Sequence, residues 1–170
     1  MKIFQSKWTK IGAAILIGGI FIWQMVSRTT ASSGEPVKFT IVDQHGKRVN
    51  ISDFKGKVVI LDFWATWCPP CKAEIPGFVQ LYNKYHDQGL EIVGVSLDQT
   101  GWSDVRPFLK KYNVPYTVGL RNMETDYRFG NIKSIPTTFV LDKQGKIRQQ
   151  YVGYRQDTVF ENDFKQLISE

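Results

Sequence analysis

Cys68 and Cys71 are the only cysteines of the 170-residue chain, and two prolines separate them. A thiol pair at this spacing can close a disulfide and pass it to a partner, because a thiolate attacks a disulfide sulfur through a mixed-disulfide intermediate. Glu74 follows three positions later and shares a face with both cysteines if the segment is helical. Asp62 stands six residues before Cys68 inside an apolar run. A carboxyl group in such surroundings has a raised pKa, because desolvation disfavours its charge. It can then take the proton of an inner thiol near neutral pH. Two blander chemistries compete. The pair could be an inert structural disulfide, or half of a zinc site. Zinc needs four ligands, and His45 and His86 lie in unrelated segments, so no metal site is expected.

The flanking pattern decides between these. Val58-Val59-Ile60-Leu61-Asp62-Phe63 reads as a buried strand, and residues 68–87 read as a helix with Phe78, Leu81, Tyr82 and Tyr85 on its apolar face. Cys68 thus falls at a helix N-terminus, where backbone N–H groups and the helix dipole favour a thiolate. Cys68 is the expected nucleophile and Cys71, a turn further in, the expected resolving thiol. Pro69 and Pro70 remove backbone donors beside the Cys68 sulfur and stiffen the loop. Pro76 is expected to kink the helix, and Gly89 to close it. His86 is expected to cap the helix end or be solvated, and His45 to be a solvated turn residue.

Around this centre the pattern alternates between strands and helices. Lys38–Val42 and Lys47–Ile51 form a hairpin about the turn Asp43-Gln44-His45-Gly46. Leu90–Leu97 is a second buried strand, and the strand–helix–strand spacing predicts a right-handed parallel unit. A loop at Asp98–Trp102 precedes a helix over Val105–Tyr112, with Pro107 in its first turn. A strand at Tyr116–Leu120 and a helical piece at Asp126–Phe129 follow. Thr137–Leu141 and Lys146–Val152 pair about the turn at Asp142–Gly145, and Thr158–Ile168 is a terminal amphipathic helix.

The formal charge of +6 is not spread over the chain. Lys2, Lys7, Lys10 and Arg28 give residues 1–28 a charge of +4 without an acid. The remainder lacks the basic stripe a nucleic-acid partner requires. The apolar stretch from Trp8 to Val26 would span about 28 Å as a helix, close to a hydrocarbon core of about 30 Å. Trp8 and Trp23 sit near its ends, and the lysines precede it, which places the N-terminus in the cytoplasm and the rest across the membrane. A signal peptide cleaved after Ser33 is the competing reading; the length of the apolar run favours an uncleaved anchor over residues 1–28. Residues 29–36 then form a linker and residues 37–170 the domain, facing the periplasm or the cell surface.

The segment Leu61-Asp62-Phe63-Trp64-Ala65-Thr66-Trp67-Cys68-Pro69-Pro70-Cys71, continued by Lys72-Ala73-Glu74-Ile75-Pro76, resembles the active site of thioredoxin-fold proteins. With Ile135-Pro136-Thr137-Thr138-Phe139-Val140 it resembles the TlpA/ResA/CcmG group of membrane-tethered disulfide reductases, from about Val37 to the C-terminus. The resemblance implies an α/β thioredoxin fold: a central mixed sheet flanked by helices, with an N-terminal β-hairpin, a helix–strand insertion and a preceding transmembrane helix. It implies a cis Ile135–Pro136 bond, with the Ile135 backbone pairing with an extended substrate segment by β-augmentation. Trp67, Pro69 and Pro70 join Ile135 and Pro136 on the substrate side, and Glu74 matches the glutamate beside the cysteine pair. Pro69 departs from the glutamate common in the group, and Asp62 from its common asparagine.

The implied activity is extracytoplasmic thiol–disulfide exchange through the dithiol, without a further cofactor. The partners implied are disulfide-containing proteins, apocytochrome c among them, and a membrane electron donor. A thiol oxidase or isomerase would use the same residues, and only a redox potential separates it from a reductase. A copper chaperone of the same fold would carry a CxxxC pair and a distant histidine.

Overall fold

The computed structural model describes residues 34–130 and 132–170. The expected anchor over residues 1–28 lies outside them, as does most of the expected linker. Among the described residues no helix is long and apolar enough to cross a membrane.

Five strands form one mixed sheet: β3 (Val58–Trp64), β4 (Leu90–Ser96), β5 (Thr117–Leu120), β6 (Thr137–Leu141) and β7 (Ile147–Val152), in the order β5-β4-β3-β6-β7. β3 runs parallel to β4, and β4 to β5, while β6 is antiparallel to both β3 and β7. All seven residues of β3 are buried, as expected of a central strand covered on both faces. On one face Val58, Ile60 and Trp64 meet helices α1 (Pro69–Tyr85), α2 (Trp102–Lys111) and α4 (Asp157–Ile168), through Ile75, Phe78, Phe108, Phe160 and Phe164. On the other, Val59, Leu61 and Phe63 meet the N-terminal hairpin and Phe129 of helix α3 (Met123–Phe129). Alternation along β3 therefore points Asp62 towards α1.

The hairpin consists of β1 (Thr40–Val42) and β2 (Arg48–Asn50), shorter than the sequence suggests because the chain turns into a 3-10 helix at Ile51–Phe54. It seals the β5 edge of the sheet. The Gln44 side-chain amide donates to the Tyr116 carbonyl at 3.1 Å and accepts the Val118 N–H at 2.9 Å, as a neighbouring strand would. Asp43 bridges to Gly119, where an added Cβ would stand 2.8 Å from the Ile41 side chain.

Two helices start earlier than predicted. α2 begins at Trp102 because Gly101, at φ 64, lets the chain turn there. Pro107 consequently lies inside the helix and not in its first turn. α3 begins at Met123 because Asn122 and Thr125 cap it reciprocally: the Asn122 carbonyl oxygen of the side chain accepts the Thr125 N–H, and Thr125 Oγ1 accepts the Asn122 N–H, both at 3.0 Å. α1 continues through Pro76 to Tyr85 and passes into a short 3-10 turn that ends at Gly89, φ 97. His86 stacks on Tyr82 with centroids 4.4 Å apart, and its Nδ1 stands 3.7 Å from Glu91.

Candidate active site

The loop from β3 into α1 is pinned before it reaches the cysteines. Asp98, just beyond β4, accepts the Thr66 N–H at 2.9 Å and the Thr66 hydroxyl at 2.6 Å, and the Ser96 hydroxyl at 2.7 Å. Three bonds to one buried carboxylate fix where the chain turns towards Trp67 and Cys68. Nothing in the local sequence announces this clamp, since its parts belong to different elements.

Cys68 is the N-cap of α1, with extended backbone, and it is joined to Cys71 by a disulfide. Pro69 and Pro70 occupy the first two helical positions. Those positions have no intrahelical acceptor for an N–H, so the prolines cost the helix nothing there. They also leave the Cys71 N–H as the next donor, and it points at Cys68 Sγ, 3.3 Å away. A sulfur therefore does here what a serine or aspartate oxygen does at an ordinary N-cap. Such a donor, added to the helix dipole, stabilises Cys68 as a thiolate once the disulfide opens.

The Ile135–Pro136 peptide is cis and precedes β6. The Ile135 carbonyl oxygen stands 3.7 Å from Cys68 Sγ. In the disulfide this is a contact; a reduced Cys68 could donate to it. Both cysteines are largely buried, at 3% and 1% exposure, so burial alone does not rank them. Trp67 beside them is 63% exposed, whereas Trp64 is packed into the core against Phe108.

The two acids come from opposite directions. Asp62 lies in β3 opposite Thr138 of β6, whose hydroxyl donates to it at 3.1 Å. Burial pushes its pKa well above the carboxylate range, and the Glu74 charge pushes the same way, against the Thr138 hydrogen bond. Glu74, on α1, is also buried. Its Oε1 accepts the Arg155 N–H at 2.6 Å, from the segment after β7, while Oε2 has no partner among the described residues. Burial raises its pKa to about 7, opposed by the Arg155 N–H and the Arg155 charge. Thr138 and Arg155 did not stand out in the sequence, because a hydroxyl in a strand and a backbone N–H carry no pattern.

Among the described residues no three His, Cys, Asp or Glu side chains gather as metal ligands. What the site can do is exchange disulfides: an N-capping sulfur, a second thiol one turn inside, and two buried carboxyl groups whose pKa values burial raises.

Comparison with known proteins agrees with this chemistry. Residues 34–150 match the AhpC/TSA family. The chain is 35% identical over 133 residues to the thiol-disulfide oxidoreductase ResA of Bacillus thuringiensis, covering 78% of this chain and 76% of that protein. It is 35% identical over 130 residues to ResA of Bacillus subtilis, covering 76% and 72%. Among solved structures, a thioredoxin family thiol:disulfide interchange protein from Chlorobium tepidum superposes with a TM-score of 0.72 at 32% identity, covering 78% of this chain and 94% of that one.

Proposed function

Since the chain belongs to the AhpC/TSA family, with a thioredoxin-like fold, and is a thiol–disulfide oxidoreductase of the ResA kind, we propose that it reduces protein disulfides on the extracytoplasmic side of a membrane. The observation that carries the reading is the placement of the Cys68–Cys71 pair at the N-terminus of α1, with Asp62 and Glu74 behind it.

In this reading the Cys68 thiolate attacks one sulfur of a substrate disulfide, and the other substrate sulfur leaves as a thiolate and takes up a proton. Cys71 then gives its proton to a carboxylate of the Asp62–Glu74 pair and attacks Cys68 Sγ. The Cys68–Cys71 disulfide forms, and the second substrate sulfur leaves and is protonated. Two electrons pass from the dithiol to the substrate, which gains two protons. Ile135 and Pro136 hold the extended segment that carries the substrate disulfide, and Trp67, Pro69 and Pro70 border it. Residues 1–28 anchor the protein, apocytochrome c is among the substrates, and a membrane donor returns the pair to the dithiol.

A redox titration of residues 34–170 against glutathione or dithiothreitol tests the direction. A reductase has a potential near that of thioredoxin, about −270 mV, and a value near the −120 mV of a strong oxidant would make the protein an oxidase. Asp62→Asn and Glu74→Gln are each expected to slow reduction of a protein disulfide by roughly tenfold or more, the range of general acid–base catalysis. Unchanged rates from pH 6 to 9 would remove both acids from the mechanism.

A further inference from the structure

The core behind the disulfide contains more unmet polar chemistry than packing requires. Three of its buried atoms lack a hydrogen-bond partner among the described residues: Trp64 Nε1, Glu74 Oε2 and Tyr116 OH. Native interiors rarely leave such groups unpaired, and a phenylalanine would fill the place of the Tyr116 ring without an orphaned hydroxyl.

The sheet register gathers these groups. Asp62 of β3 pairs with Gly94 of β4, and Gly94 with Val118 of β5. Gly94 has no side chain to cover the strand beside Asp62. An added Cβ there would stand 2.9 Å from Trp64 Nε1 and 3.2 Å from Val118 Cγ2. The indole nitrogen thus lies over the bare Gly94 backbone, in the strand paired with Asp62. Tyr116 enters the same core two residues before Val118 and is 2% exposed. Its ring lies 6.0 Å from that of Tyr82 on α1. Burial pushes its phenol pKa well above the ordinary value, and the charges of Asp62 and Glu74 push the same way.

We propose that Tyr116 is a positioning residue of the proton transfer: its hydroxyl, with the Trp64 indole N–H, forms the donor wall against which the Asp62–Glu74 pair is held in its ionised form. A tryptophan N–H only donates, and a tyrosine hydroxyl donates or accepts. Two unpartnered groups of this kind in the core behind two carboxyl groups suit a buried water, which bridges such groups through about three hydrogen bonds. When the pair is ionised the donors point towards it. When the pair holds the proton from Cys71, the hydroxyl can turn and accept. The other titratable or charged groups of this core are Cys71, Tyr82 and Tyr85 from α1, and Arg155 from the segment after β7 lies against Glu74. The remaining elements packed on this core present Phe108 and Leu109 from α2 and Phe160 from α4, which do not titrate, together with Tyr112 at the end of α2 and Tyr151 of β7.

This inference rests on the proposed proton acceptance by the Asp62–Glu74 pair, and its test separates the two. The rate of protein-disulfide reduction is measured from pH 5 to 9 for the wild type, Tyr116→Phe, Asp62→Asn, Glu74→Gln and the Asp62→Asn/Tyr116→Phe double variant. Removing a hydroxyl that reaches the carboxylates through the bridging water makes them harder to ionise. The acid limb of Tyr116→Phe is therefore expected to move up by about one pH unit, the scale of one hydrogen bond to a charged group. Asp62→Asn is expected to flatten the limb, and adding Tyr116→Phe to it should then shift nothing. A Tyr116→Phe limb superimposed on the wild type, with Asp62→Asn flattened, overturns the role of Tyr116 alone. A limb that survives in Asp62→Asn and Glu74→Gln overturns proton acceptance, and this inference with it. The melting temperature of Tyr116→Phe checks that the fold is retained.

Discussion

Glu74 Oε1 accepts the Arg155 N–H at 2.6 Å, which ties the helix that carries the disulfide to the chain leaving β7. The bond uses one oxygen, and among the described residues the other has no partner in the core. The same carboxyl group is thus an anchor and a weak acid at once, and the two properties can be measured separately.

The acid property makes stability depend on pH. Glu74 titrates at about 7 in the folded protein, against 4.5 for the ordinary group. Below pH 4.5 it is protonated in both states and favours neither. Between these values the unfolded chain loses the proton that the folded one keeps, so stability falls as pH rises and levels off above 7. After discounting for solvent screening, the loss is about 2 kcal/mol. Asp62 works in the same direction. Glu74→Gln keeps an acceptor for the Arg155 N–H and is expected to flatten part of the slope. Urea unfolding of the oxidised protein between pH 4 and 8 gives the comparison, and an unchanged slope would contradict the raised pKa.

The N-cap geometry assigns different work to the two sulfurs. Cys68 Sγ receives the Cys71 N–H and contacts the Ile135 carbonyl, while Cys71 lies one turn into α1. Cys71→Ala should therefore accumulate mixed disulfides with substrates through Cys68, and Cys68→Ala almost none. Non-reducing gels after thiol blocking count the adducts. Equal trapping by both variants would contradict the assignment.

Gln44 replaces a strand at the β5 edge with a single amide. Gln44→Ala should speed hydrogen exchange at the Val118 N–H by roughly fivefold to tenfold, the equivalent of one or two modest hydrogen bonds. Exchange at β3 amides, in the centre of the sheet, should not respond. If Val118 keeps its protection, the amide is not what closes the edge.

Gly94 has no room for a side chain on the α1 face. Gly94→Ala would bring a methyl group to 2.9 Å from Trp64 Nε1 and 3.2 Å from Val118. The expected cost is about 1–3 kcal/mol, as for other overpacked cores. The midpoint of chemical denaturation reads it, and a shift in Trp64 fluorescence would show which neighbour gives way.

The sequence revealed what is local. A run of apolar residues broken by Asp62, a thiol pair opening a helical pattern and an Ile-Pro-Thr-Thr strand start were enough to place β3, α1 and β6, which bring Asp62, Glu74 and Ile135 to the Cys68–Cys71 disulfide. It was silent where the partner is far along the chain. Thr138 meets Asp62, Arg155 meets Glu74 and Asp98 meets Thr66 only because strands distant in sequence become neighbours. Tyr116 looked like the first residue of a short strand, since nothing about a tyrosine tells that its hydroxyl will be buried near two acids. The early starts of α2 and α3 were hidden for a local reason: Gly101 and Asn122 resemble loop residues, and loop chemistry and helix-capping chemistry use the same side chains.

The Gln44 clip also limits how copies of this protein can polymerise. Growth of a fibre by sheet extension needs two open edges on every copy, one to receive a strand and one to offer it. With the β5 edge occupied by the hairpin, β7 is the edge of this sheet left for such contact, and it presents Arg148, Gln149 and Gln150 to solvent. Two copies joining there would use up each other's free edge. The contact would close as a pair and have nowhere to propagate.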